Sequence, residues 1–175
     1  TKAIMPVQLN GRVADMDAIN KIATKHDLII IEDSCQALGA KYKNQFAGTF
    51  GLTGTFSFFP AKTLGCFGDG GAVVTNSDEV AAKIRMIRDH GRDPIDGKVK
   101  IFGFNSRLDN LQAAILGLKL KYYDEDVFRR RQIATLYHLH LCAIEQILLP
   151  PAPDSEVDHF DVFQNYEIEA QDRDK

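Results

Sequence analysis

Leu28-Ile29-Ile30-Ile31-Glu32-Asp33 sets four consecutive branched apolar residues in front of two carboxylates. A short, continuously apolar run of this kind marks a strand buried on both faces, as strands of a parallel sheet are. Upstream, Ala3 to Val7 is a first apolar strand and Asn10-Gly11 a polar turn. Asp15 then stands where a helix N-cap belongs, and Met16, Ile19, Ile22 and Ala23 recur at helical spacing up to Lys25-His26-Asp27. Strand, helix and strand in that order make a β-α-β unit. Downstream, after a glycine-punctuated segment from Gly39 to Gly54, Thr55 to Phe59 and Gly71 to Thr75 read as further strands. Asn76 or Ser77 can cap a helix bearing Val80, Ile84 and Ile87. The fold class expected is α/β, a mostly parallel sheet with flanking helices.

The second half reads as helices and an edge. Gly91 to Gly103 is a polar loop, and Ser106-Arg107-Leu108-Asp109 resembles a capping box with Asp in place of Glu. Leu108, Leu111, Ile115 and Leu118 form an apolar stripe, with Ala113, Ala114 and Gly117 as a small-residue surface. A longer helix from about Glu125 to Ile144 carries Arg129-Arg130-Arg131, read as a solvated face. Pro150-Pro151-Ala152-Pro153 breaks the helix and marks a domain edge. Beyond it Tyr166, Ile168 and Ala170 alternate with Glu167 and Glu169 as a half-buried strand with no partner in sight. The expected organisation is residues 1–122 as part of a large domain, 123–149 as a connecting helix and 150–175 as the start of a small α/β domain. Thr1 followed at once by a strand looks like a chain entered in its middle.

Composition narrows the function classes. A net charge of −3 gives no basic footprint for nucleic acid and no polybasic membrane patch. Three scattered cysteines, Cys35, Cys66 and Cys142, make neither a disulfide framework nor a zinc site and fit a reducing cytoplasm. The five histidines show no metal spacing, so no metal is expected. No apolar run is long enough to span a bilayer. The P-loop and GxSxG patterns are both missing.

The chemistry concentrates in Thr55-Phe56-Ser57-Phe58-Phe59-Pro60-Ala61-Lys62-Thr63-Leu64-Gly65, with Gly68-Asp69-Gly70-Gly71 beyond it. Lys62 stands between an aromatic run and glycines, where apolar neighbours could desolvate its amine and fit it for Schiff-base chemistry. Asp33 follows the carboxyl end of a strand, where ligands of open α/β sheets bind. Taken singly, each residue also has a plain reading. Asp33 could be a surface carboxylate or cap, Gln36 a turn residue, Ser57 a hydroxyl bonded back to the main chain and Lys62 an exposed loop lysine. Asp69 could be only a turn, and His90-Gly91 a helix terminus.

The order of these segments resembles the DegT/DnrJ/StrS family of sugar-nucleotide aminotransferases, pyridoxal phosphate (PLP) enzymes of the aspartate-aminotransferase fold. The resemblance is carried by Pro6 to Gly11, Ile31 to Ala37, Phe56 to Gly65, Gly68 to Ala72, Asp89-His90-Gly91, Gly103 to Leu108 and Gln112 to Ile115. It implies that Lys62 is the Schiff-base lysine and that Asp33 pairs with the pyridinium nitrogen. It also implies that Gln36 bonds the phenolic oxygen, that Ser57 binds the phosphate, and that Asn105 reaches the phosphate of a neighbouring subunit. PLP as cofactor, glutamate as amino donor, a nucleotide-linked keto sugar as acceptor and a homodimer with shared active sites follow from the same resemblance. Gln8 and Asn10 depart from it, standing where many members have histidine and tyrosine. Members also carry an N-terminal part and a C-terminal domain absent from these residues, so a fragment is expected. Two alternatives stand beside this reading. One is a non-catalytic or regulatory protein of the same fold; the other is a PLP-dependent sugar dehydratase, a branch in which histidine replaces the lysine at position 62.

Overall fold

A computed structural model describes residues 1–171 and 173, so the last residues of the expected 150–175 unit lie partly outside the described set. A four-stranded sheet runs in the order β1 (Ala3–Ile4), β2 (Ile29–Asp33), β5 (Thr53–Ser57), β6 (Gly71–Val74), with β3 (Lys41–Tyr42) and β4 (Gln45–Phe46) intervening in the chain. The first three of its strands are parallel, with Ile4 beside Ile30 and Asp33 beside Thr55, and β6 closes the edge antiparallel to β5. Val7 adds a parallel bridge to Asp33, so the first strand's influence reaches the end of β2. The expected mostly parallel α/β sheet is the observed one.

Helix α1 (Met16–Lys25) makes the crossover from β1 to β2, and Asp15 caps it by accepting the Ala18 N–H at 3.0 Å. Met16 and Ala23 carry its buried face onto Val13, Ile30, Ala37 and Tyr42. Ser77 caps α2 (Asp78–Ile87) through the Val80 N–H at 3.3 Å, a contact worth about 1 kcal/mol.

β2 differs from a strand buried on both faces. Ile29 is 48% exposed, while Glu32 is fully buried. Its carboxylate accepts four hydrogen bonds: Gln8 Nε2 at 2.9 Å and the backbone N–H groups of Gly48, Phe50 and Gly51 at 2.8, 2.5 and 2.9 Å. A buried carboxylate is tolerated when its lone pairs are filled this way. Gln8 in turn accepts the Ala14 N–H at 2.7 Å. Gln8 is therefore an internal strut between β1 and β2.

Inside the glycine-punctuated segment, β3 and β4 form a hairpin whose two turn residues, Lys43 and Asn44, both have positive φ. β8 (His159–Phe160) joins that hairpin as a third strand.

The helical half departs from expectation in three places. The cap of α3 (Asn110–Lys119) is Asp109, which accepts the Gln112 N–H at 2.9 Å, not Ser106. Its buried residue is Leu116, while Leu111 and Leu118 face outward and a Cβ on Gly117 would meet nothing. α4 (Tyr123–Leu141) buries Tyr123, Val127, Arg131 and Ala134, one stripe along its length. Arg131 is thus no solvated residue: it donates to the Asp161 carbonyl at 2.7 Å, pairs with Asp154 and lies over the Phe160 ring. Arg130 reaches the carbonyls of Phe163 and Gln164. Lastly, β9 (Glu169–Ala170) has a partner, pairing antiparallel with β7 (Ile147–Leu148). Among the described residues no helix is long and apolar enough to cross a membrane.

Candidate active site

The carboxyl end of β2 places Asp33. Its N–H donates to the Pro6 carbonyl and its own carbonyl accepts from Gln8 N–H, both at 2.9 Å, so the main chain here is locked to the neighbouring strand. One carboxylate oxygen accepts the Cys35 N–H at 3.1 Å. Gln36 lies a turn further on, where its Oε1 accepts the Asn10 N–H at 2.7 Å. A backbone N–H can only donate, so this contact fixes the amide's orientation and leaves the Gln36 NH2 as a donor. Asn10 can offer that N–H because it adopts a positive φ of 56°.

Ser57 ends β5, two residues past Thr55, which sits beside Asp33, so its side chain shares the face of Thr55. Its Oγ accepts the Phe59 N–H at 3.3 Å, which leaves the hydroxyl hydrogen to donate. The chain then turns, and Lys62 donates its N–H to the Phe59 carbonyl at 2.9 Å. Lys62 is half-buried rather than sealed in an apolar pocket. The Cys35 thiol reports on the neighbourhood. Burial pushes its pKa up, the Asp33 hydrogen bond adds to that, and Thr55 and the Lys62 charge act in the opposite direction. The thiol itself lies 3.7 Å from the Thr55 hydroxyl, at the end of the parallel strands.

The lysine loop is braced from several elements. Cys66 N–H closes it onto the Phe58 carbonyl at 2.8 Å, and Lys119 Nζ donates to the Gly65 carbonyl at 2.6 Å. Gly65 permits the tight return, since a Cβ there would lie 2.6 Å from the Pro60 carbonyl oxygen. Thr63 and the Tyr123 hydroxyl lie 3.1 Å apart, and that hydroxyl donates to the Leu38 carbonyl at 2.6 Å, joining the lysine loop to the segment after Gln36. Gln164 also contacts this loop on both sides of Lys62. Sequence reasoning named neither Tyr123 nor Gln164, because nothing local links them to residues 60 and 100 positions away.

Asn105 lies elsewhere. It bridges Asp89, and its Oδ1 accepts Arg107 Nε at 3.2 Å while Arg107 pairs with Asp89. It lines a cleft of about 1100 Å3 between the sheet and α2, together with Gly71, Val73, Arg85 and Arg88. Asp33, Gln36, Ser57 and Lys62 are not among the residues that line that cleft, although Thr55, beside Asp33 in the sheet, is. Asp69 is exposed in the turn into β6, and His90 ends the helical turn after α2 with a positive φ. Among the described residues no group of three His, Cys, Asp or Glu side chains could hold a metal ion.

The carboxyl end of β2 carries Asp33, with Gln36 just beyond it, and that of the parallel β5 carries Ser57 and the Lys62 loop, the edge at which ligands of open α/β sheets bind. The DegT/DnrJ/EryC1/StrS aminotransferase family model matches residues 1–175, and the chain belongs to that family. It is 46% identical over its whole length to a pleiotropic regulatory protein of Geobacillus stearothermophilus, covering 46% of that protein. It is 44% identical, over 99% of its length, to the UDP-2-acetamido-2-deoxy-3-oxo-D-glucuronate aminotransferase of Pseudomonas aeruginosa, covering 47% of it. The structure of S. venezuelae DesV in complex with a ketimine intermediate matches 99% of the chain with a TM-score of 0.91 and 40% identity, over 46% of that structure's chain. The chain thus spans about half the length of the curated relatives it matches.

Proposed function

We propose that the whole protein is a PLP-dependent aminotransferase that moves an amino group, with glutamate as donor, onto a nucleotide-linked keto sugar in the cytoplasm. One observation carries this reading: β2 and β5 run parallel with Asp33 beside Thr55, so Asp33 and Gln36 leave the sheet at the same edge as Ser57 and the Lys62 loop, and the Gln36 NH2 is left to donate. The donor set fits PLP, which when bound supplies an aldehyde for an amine and a ring that accepts electrons from the substrate carbon. Asp33 would hold a proton on the ring nitrogen, since an ionised carboxylate favours a protonated neighbour. Gln36 would offer its NH2 to the phenolic oxygen, and Ser57 would offer its hydroxyl to the phosphate. The Lys62 amine carries the proton away from the substrate carbon as general base and returns it as general acid. Asn105 serves the partner subunit of a two-fold dimer. We read residues 1–122 as part of the cofactor-binding unit, 123–149 as the connection and 150–175 as the start of the next unit.

The test uses the full-length protein. Borohydride reduction with PLP followed by peptide mapping is expected to find the label on Lys62; label on another lysine overturns the assignment. Asp33→Asn is expected to keep the label and lose roughly a hundredfold or more in turnover. Near-normal turnover removes Asp33 from the site. Failure of the full-length protein to hold PLP at all would favour the regulatory alternative.

A further inference from the structure

We infer that Gln164 is a positioning residue for Lys62. Its side-chain Nε2 donates to the Ala61 carbonyl at 2.9 Å and its Oε1 accepts the Thr63 N–H at 2.8 Å. The Ala61 carbonyl lies in the peptide plane before the Lys62 Cα, and the Thr63 N–H lies in the plane after it. One rigid, planar amide therefore pins both planes that meet at this Cα. With both planes held, φ and ψ of Lys62 are set, and so is the direction in which its side chain leaves the backbone.

Gln164 is itself held by the chain around it. Arg130 donates to the carbonyls of Phe163 and Gln164 at 3.2 and 3.3 Å, and the Val162 N–H donates to the Gly11 carbonyl at 2.9 Å. Gly11 has a positive φ, and a Cβ there would lie 2.7 Å from the backbone nitrogens of Phe163 and Gln164, so the strap from 162 to 165 sits directly on the Asn10-Gly11 turn. Asn165 adds a bond from its Nδ2 to Asn10 Oδ1 at 3.0 Å. The same turn supplies the N–H that orients Gln36. Through this strap the lysine and the Gln36 amide share one reference frame.

The catalytic consequence rests on the proposed role of Lys62, and the experiment separates the two. In the full-length protein Gln164→Leu removes both bonds at similar size, and Gln164→Glu keeps an acceptor for Thr63 while setting oxygen against oxygen at Ala61. Hydrogen exchange at the Thr63 amide, read by fragmentation mass spectrometry, is expected to quicken about tenfold in Gln164→Leu and less in Gln164→Glu, with the sheet amides unchanged. Turnover is expected to fall roughly 10- to 100-fold with KM within about threefold, the signature of a misaimed group rather than a lost binding contact. Unchanged Thr63 exchange, or unchanged turnover with faster Thr63 exchange, overturns the inference. So does exchange that quickens equally throughout the sheet. If Gln164→Leu does not fold, Gln164→Glu alone decides by the same readings. If wild-type Lys62 takes no PLP label, the proposed function falls, and faster Thr63 exchange in the variant still measures the clamp.

Discussion

The loop from Pro60 to Cys66 is held from α3, α4, the end of β5 and the strap at 162–165, whereas the segment from Gly91 to Arg107 is held mainly along one edge. Gly91, Arg92, Phe104 and Ser106 donate there to the carbonyls of Met86, Asp89, Ile87 and Arg88, all within the stretch that ends α2, and between them Asp93 and Lys100 pair within the segment. Around Lys62, Thr63, Leu64 and Cys66 are buried; around Asn105, Phe102 and Phe104 stand exposed, Phe102 completely. A loop that finds its partners within the chain can aim a reactive group by itself. A loop that turns aromatic side chains to water awaits another surface, which is what the proposed two-fold dimer provides for Asn105.

The largest effect that would break this comparison comes from mixing two full-length variants. Lys62→Ala alone is expected to lose about a thousandfold or more in turnover, and Asn105→Ala to lose a smaller part. If Asn105 serves its neighbour, exchanged subunits contain one site with both residues intact, and the mixture exceeds either parent. No recovery despite demonstrated exchange would assign Asn105 to its own subunit or to no site. A middle-sized effect sharpens the contrast in stability. Tyr123→Phe leaves Thr63 and the Leu38 carbonyl without their buried partner and is expected to cost about 1–3 kcal/mol in denaturant unfolding. Phe102→Ser should stay within about 0.5 kcal/mol when the protein is monomeric, and weaken its self-association.

The smallest effect concerns acid. Asp93, in the open segment, pairs with Lys100 and accepts the Ile95 N–H at 2.8 Å, and these contacts hold its pKa below the ordinary 3.8. A depressed carboxylate contributes stability above its ordinary pKa and loses it as pH falls through the folded value. Asp93→Asn should therefore lower the thermal midpoint slightly at about pH 6, and the gap to wild type should narrow as the pH falls below the ordinary 3.8. A gap that is constant across that range would show that the Asp93 charge contributes nothing.

What was legible in the sequence followed from local signals. The apolar run at Ile29 to Ile31 and the Asp15 cap announced the crossover, the Ser77 cap announced α2, and the parallel register then carried Asp33 and Thr55 side by side. The parts that escaped are those whose partners lie far along the chain. Glu32 resembles any carboxylate at a strand end until three backbone amides from residues 48–51 close on it. Arg130 and Arg131 read as surface because a run of charge carries no mark of the carbonyls it will meet 30 or more residues later. The stripe on α3 failed for a related reason: periodicity finds an apolar face, but the neighbours decide which residues are covered, and Leu116 was outside that stripe. The hairpin at 41–46 has two-residue strands, too short to show alternation, and its turn is Lys-Asn instead of the usual Asn-Gly.

The distance along the chain between Lys62 and its clamp has a bearing on how the molecule is made. Thr63 and Gln164 are 101 residues apart, and a ribosome adding roughly 5–20 residues per second takes about 5–20 s to cover that interval. For that time the parallel strands and the α1 crossover already exist as polymer, yet the two peptide planes at Lys62 lack the amide that bridges them. The amine thus acquires its final bearing only after the strap has emerged and docked on the Asn10-Gly11 turn. Biosynthetic timing keeps the nascent lysine imperfectly aimed until the scaffold around it is nearly in place.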